Sequence, residues 1–351
     1  LSLAFWAHGM EVCFSRLRLA LARMTCFFVL FAAWPVLAAD GAVVFMYHRF
    51  GENDVPTTNI RMEQFDAHLL ELKSGGYNVL PLPEIIARLK KGDALPDRTV
   101  ALTIDDAYRS VYEKAWPRLR AAKLPFTIFV ATDPIDRGRR GYMTWDQLRE
   151  LKAAGVTIGN QSKSHPHLVS LGLDQVRREL RAANARLAKE LGAPADLLAY
   201  PFGEYSQAVQ KVAAAVGFTA AFGQHSGVMH AGAPMFGLPR FTLNETYGGI
   251  DRFRLAANAL PLPVTDVLPS DPVLQVNPPA FGFTVRPGLT GLAQLACFAS
   301  GQGRTKLQRL GNRVEVRVTE PFPPGRSRIN CTMPGPDRRW RWFGMQFFVP
   351  D

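Results

Sequence analysis

Two adjacent carboxylates, Asp105 and Asp106, close an apolar run that begins at Thr99. Neighbouring carboxylates repel each other and are poorly explained as packing. One resolution is a division of labour, in which one binds a cation and the other stays free as a base. A second polar stretch, Asn160 to His167, follows the apolar run Val156 to Gly159 and contains His165 and His167. A third apolar run ends in Tyr200, Pro201, Phe202, Gly203 and Glu204. A lone histidine is more often a satisfied structural residue, but an aspartate pair and a histidine-bearing loop after two strands of one sheet form a more specific combination.

The elements that must hold these residues follow from the hydrophobic pattern. Val43 to Tyr47, Thr99 to Thr103, Phe126 to Val130, Val156 to Gly159, Leu197 to Tyr200 and Thr219 to Phe222 read as strands, with helix-period segments between them. Met62, Phe65, Leu69 and Leu72 fall at helical spacing before Gly75 and Gly76. Val176, Leu180, Ala183, Leu187 and Leu191 form one stripe of a longer helix closed by Gly192 and Pro194. Such alternation predicts an α/β chain with a parallel sheet covered on both faces, whose chemistry collects where strands end. The pattern fades after about residue 260. Residues 261–279 are expected as a Pro-rich linker, and residues 280–351 as a small β-rich accessory domain, with Val314, Val316 and Val318 alternating with charged residues. Trp340 and Trp342 would share a strand face there, as an aromatic platform for sugars or, more often, as core.

The chain has 351 residues, 47% hydrophobic and 20% charged, with a formal charge of +11 from 41 Lys and Arg against 30 Asp and Glu. These figures exclude collagen-like, coiled-coil and low-complexity chains. Arg16, Arg18 and Arg23 precede an apolar run from Met24 to Leu37, and small residues follow at Ala38 and Ala39. This is the layout of a signal peptide over residues 1–38, so the expected protein is exported, periplasmic or secreted; an uncleaved inner-membrane anchor is the less favoured alternative. Its removal takes away three Arg and one Glu, lowering +11 by two to +9. Cys297 and Cys331 then remain, a pair that export permits to form a disulfide. The basic excess admits an anionic envelope surface or acidic glycan as partner. It is scattered over helix faces and loops, without the basic and aromatic interleaving of a nucleic-acid module, so no nucleic-acid partner is expected.

At its candidate site the sequence resembles the polysaccharide deacetylase family, the NodB-homology or carbohydrate esterase 4 group, over roughly residues 42 to 260. The family's Thr-Phe-Asp-Asp-Gly-Tyr motif corresponds to Thr103, Ile104, Asp105, Asp106, Ala107 and Tyr108, and its His-Ser/Thr-x-x-His motif to Gln161, Ser162, Lys163, Ser164 and His165. Met46, Tyr47 and His48, with Tyr200 to Glu204, look like the branch containing poly-β-1,6-N-acetylglucosamine N-deacetylases. The resemblance implies a distorted, incomplete (β/α) barrel over residues 39–260 and removal of N-acetyl groups from an N-acetylhexosamine polysaccharide. It makes Asp105 the base and Asp106 and His165 ligands of a divalent ion, Zn²⁺ before Co²⁺ or Mn²⁺. That ion would lower the pKa of its water and polarise the acetamide carbonyl. A backbone N–H around Phe202 and Gly203, with Tyr200 and Pro201 in the same loop, would meet the oxyanion.

The chain departs from the family at Gln161, where the first metal-binding histidine belongs; an amide oxygen is a poorer zinc ligand than imidazole. Three readings stand open: a working hydrolase with an altered site, substitution by His167, or an impaired protein that still binds glycan. The arginine expected before the third motif is also missing. Arg240, in the run Leu238 to Phe241, is a candidate to orient Asp105 or else a surface residue, and His48 is a candidate to position substrate or support the metal. Polymer identity and oligomeric state are not readable from the sequence.

Overall fold

The computed structural model describes residues 38–39 and 41–350. The expected signal peptide, apart from Ala38, lies outside them. No helix among the described residues is long and apolar enough to cross a membrane.

The N-terminal part is a curled, mostly parallel sheet ordered Ala220–Phe222, Leu197–Ala199, Thr157–Asn160, Thr127–Val130, Thr99–Asp105, Gly41–Tyr47. Two central strands, Gly41–Tyr47 and Thr99–Asp105, are buried at every position, which is why they read as continuous apolar runs rather than as an alternation. Helices cover the sheet. Leu173–Leu191 buries Val176, Leu180, Ala183 and Leu187 and stops at Gly192, whose φ of 83° is the left-handed cap a glycine supplies without strain. Each buried leucine contributes roughly 1.5–3 kcal/mol of burial.

The barrel is drawn together by one short segment. Leu238 bonds to the Ala221 carbonyl on one edge, and three residues later Phe241–Thr242 pairs in parallel with Phe45 and Met46 on the other. Arg240 lies between these anchorages and is wholly buried. The expected distorted, incomplete barrel is therefore what the chain forms, and its two edges meet around an arginine.

The C-terminal β-rich part has two sheets. One is ordered Leu260–Pro261, Trp340–Val349, Gly325–Pro334, Ala296–Ala299, Gly303–Arg304, and the other Val264–Leu268, Phe281–Val285, Arg313–Arg317, Lys306–Leu310. Alternate residues such as Phe281, Phe283, Val314, Val316, Ile329 and Phe347 enter one apolar cluster, separate from those of the barrel. Cys297 and Cys331 stand directly opposite on antiparallel strands and form a disulfide. The stretch 261–279, expected as a linker, is partly strand: Pro261 pairs with Trp342, and Val264 with Val285. Its prolines hid this, because proline is confined to edges and strand ends and gives no hydrophobic period.

Candidate active site

The Thr99–Asp105 strand carries Asp105 to the sheet's C-terminal rim, where its carboxylate is fully buried. Burial of that charge is tolerated because Arg240 grips both oxygens, Nη1 to Oδ1 at 2.7 Å and Nη2 to Oδ2 at 2.8 Å. Arg240 is itself fixed, Nε donating to the Gly223 carbonyl at 3.0 Å and Nη1 to the Thr103 hydroxyl at 3.2 Å. The candidate orienting role of Arg240 thus has its geometry. His48, at the end of the Gly41–Tyr47 strand, lines a cleft and holds Nε2 4.0 Å from Asp105 Oδ2. Its Nδ1 is buried without a hydrogen-bond partner.

At Asp106 the backbone turns into the left-handed region with a φ of 74°. His165 Nε2 lies 3.3 Å from Oδ1, an ion-pair contact at an oxygen that otherwise lacks a partner. Burial alone would raise the Asp106 pKa, but the His165 contact, the charges of His48 and His165 and the Tyr108 hydroxyl outweigh it and bring it to about 2. For His165, burial lowers and the Asp106 contact and the two aspartate charges raise, with a net upward shift.

Gln161 is wholly buried, and its amide oxygen accepts the Asp106 backbone N–H at 3.0 Å. The atom that could serve a cation is already engaged, and Nε2 is left without a partner. His167 does not replace it: Nδ1 meets Glu204 Oε2 at 2.7 Å and the ring stacks on Phe202 at 4.1 Å. Among the described residues no group of three or more His, Cys, Asp or Glu is arranged to hold a metal. Asp106 and His165 offer two donors, whereas a catalytic zinc centre takes three from the protein. The residues present therefore do not fit the expected tetrahedral Zn²⁺ site.

In the third motif, Pro201 is buried and the Tyr200 hydroxyl donates to the Phe236 carbonyl at 2.9 Å, so Tyr200 braces the loop from within the core. The Gly203 N–H is bonded to the Tyr200 carbonyl at 2.8 Å, leaving the Phe202 N–H as the loop's remaining candidate oxyanion donor. A Cβ at Gly203 would lie 2.4 Å from the Gln224 nitrogen, so only glycine lets the two loops touch here. The Phe202 ring lines the cleft, met edge-on by His165.

The sequence reading missed the wall supplied by the C-terminal part. Arg326, Arg328, Asn330 and Trp342 line the cleft of about 810 Å³ that contains His48, Asp106 and His165. Arg326 Nη1 and Gln346 Nε2 both donate to the Phe202 carbonyl at 3.2 Å, tying the third-motif loop to this wall. A signal was present: residues 326, 328 and 330 are polar and alternate with buried Ser327, Ile329 and Cys331, the pattern of a strand with one face toward a cleft.

Residues 92–221, which include Asp105, Asp106, Gln161, His165 and the third motif, match the polysaccharide deacetylase family model. YxkH of Bacillus subtilis (strain 168), named as a polysaccharide deacetylase, is 23% identical over 206 residues, 59% of this chain and 72% of the relative. A poly-β-1,6-N-acetyl-D-glucosamine N-deacetylase of Staphylococcus aureus (strain N315) is 27% identical over 173 residues, 45% of this chain and 59% of the relative. Two solved structures share the fold. The Streptococcus pyogenes deacetylase PplD in complex with acetate has a TM-score of 0.58 at 22% identity, covering 62% of this chain and 98% of that one. IcaB from Ammonifex degensii has a TM-score of 0.56 at 24% identity, covering 63% and 98%. Sheet order and the paired aspartates at a strand end agree with this match, and over residues 92–221 the barrel of this chain is similar to the polysaccharide deacetylase family.

Proposed function

We propose that the chain removes N-acetyl groups from an N-acetylhexosamine polysaccharide outside the cytoplasm. The observation that carries this reading is the buried Asp105 carboxylate, aimed by two hydrogen bonds from Arg240 and 4.0 Å from His48, which lines a cleft together with Asp106 and His165. In this reading Asp105 takes the proton of a water attacking the acetamide carbonyl. The Phe202 N–H meets the developing oxyanion, and His48, which lines the cleft, positions the sugar. The products are acetate and a glucosamine amine. The reading routes no step through a metal, because Gln161 does not complete the donor set.

The engaged Gln161 amide favours a second reading, a catalytically impaired protein that keeps the barrel for glycan binding. The two separate on incubating the chain with N-acetylglucosamine oligomers, after chelation and then with added Zn²⁺, Co²⁺ or Mn²⁺. Acetate release that Asp105→Asn abolishes supports the hydrolase. Oligomer binding without acetate release under every condition replaces it with the binding protein.

A further inference from the structure

The cleft above Asp106 carries more positive than negative charge. Arg139, Arg252, Arg326 and Arg328 line it, and Asp106 is the one carboxylate among its lining residues. Arg326 has a counter-charge, Nε lying 3.6 Å from Glu204. Two others do not. Arg328 Nε donates only to the neutral Gln224 carbonyl at 3.3 Å. The Arg252 guanidinium rests 4.9 Å over the Tyr247 ring with Nε buried and unpartnered.

These two arginines come from different parts of the fold, Arg252 from the barrel helix Ile250–Ala257 and Arg328 from the C-terminal strand Gly325–Pro334. Both line the same cleft as Tyr247, over whose ring Arg252 rests. Burial lowers the pKa of each, and at Arg328 the like charge of Arg326 lowers it further. A guanidinium does not relieve such a cost by losing its proton, so it persists until an anion arrives. A neutral sugar polymer supplies none.

We propose that the cleft selects an anionic glycan, in which the N-acetylated sugar is flanked by a residue bearing a carboxylate that seats between Arg252 and Arg328. Guanidinium forks match carboxylates in shape as well as charge, which makes them selectors rather than a diffuse attraction. This deepens the reading of the barrel as one that acts on N-acetylated polysaccharide and rests on it.

The test titrates the chain with two oligosaccharides of equal length, one of N-acetylglucosamine alone and one alternating N-acetylglucosamine with glucuronate. Affinity is followed by calorimetry and acetate release is measured in parallel. The acidic oligomer binds about tenfold tighter, equivalent to about 1.4 kcal/mol. The advantage shrinks as salt rises from about 0.05 to about 0.5 M. Arg252→Gln and Arg328→Gln each remove most of it, whereas Lys189→Gln, on an exposed helix face, leaves it intact. Equal wild-type affinities, or an advantage that survives both arginine variants, overturn the proposal, and the wild-type comparison holds even if a variant fails to fold. The two levels separate cleanly. Tighter acidic binding with no acetate from either oligomer, after chelation and with added Zn²⁺, Co²⁺ or Mn²⁺, supports the selectivity and removes the hydrolase reading, while acetate release with no acidic preference does the reverse.

Discussion

Replacing Arg240 by methionine removes both hydrogen bonds to Asp105 while keeping most of the side-chain volume. Both partners have no exposed side-chain surface, so the stranded carboxylate gains no solvation in return. Breaking a buried ion pair from one side costs about 3–5 kcal/mol. That is a large share of the roughly 5–15 kcal/mol holding a typical domain together. A urea titration followed by tryptophan fluorescence should show the loss, and the melting temperature should fall by roughly 10 °C. The double variant Arg240→Met with Asp105→Leu removes both charges and should recover about 2 kcal/mol or more of that loss. Arg240→Lys keeps the charge but not the two-point grip, so kcat for acetate release should fall about tenfold or more while KM changes little. A cost below about 1 kcal/mol for Arg240→Met, or a double variant as unstable as the two singles summed, would refute the account of Arg240 as counter-ion and aim of Asp105.

Gln161→His frees the Asp106 amide and adds an imidazole beside Asp106 and His165; elemental analysis after dialysis should show stoichiometric zinc in the variant, with at least about tenfold weaker retention in the parent. His68 and His225 are buried and held neutral, their pKa values lowered to about 4 and about 3, chiefly by burial. Because the unfolded chain takes up these protons below about 6.5 and the folded one does not, stability should drop by about 1.4 kcal/mol per pH unit for each histidine as pH falls from about 6.5 toward the folded values. Urea midpoints at about pH 7 and 5 measure this, and His68→Gln should flatten the slope. Reducing Cys297–Cys331, which closes a span of 34 residues, should cost roughly 4 kcal/mol by loop entropy, read from urea titrations with and without reductant.

The strands and the Asp105–Asp106 pair were legible because a buried parallel strand writes itself as an unbroken apolar run and a polar residue at its end stands out. Arg240 was visible only as a candidate, since its contact with Asp105 spans 135 residues and depends on how the barrel edges meet. Gln161 reads as a failed ligand in sequence, where residue type alone is visible. In three dimensions it is the acceptor for the Asp106 N–H. Tyr200 and His167 have site-like spacing, yet their partners, the Phe236 carbonyl and Glu204, lie in segments that the local pattern does not connect to them. The arginines of the Gly325–Pro334 strand matched no motif, because their meaning comes from the cleft they face.

The short run from Leu238 to Thr242 bridges the two sheet edges and carries the arginine that aims the carboxylate. The contacts that complete the barrel and the contacts that aim the carboxylate thus share one five-residue run. Any change that loosens this run from either edge therefore also releases the grip on the Asp105 carboxylate.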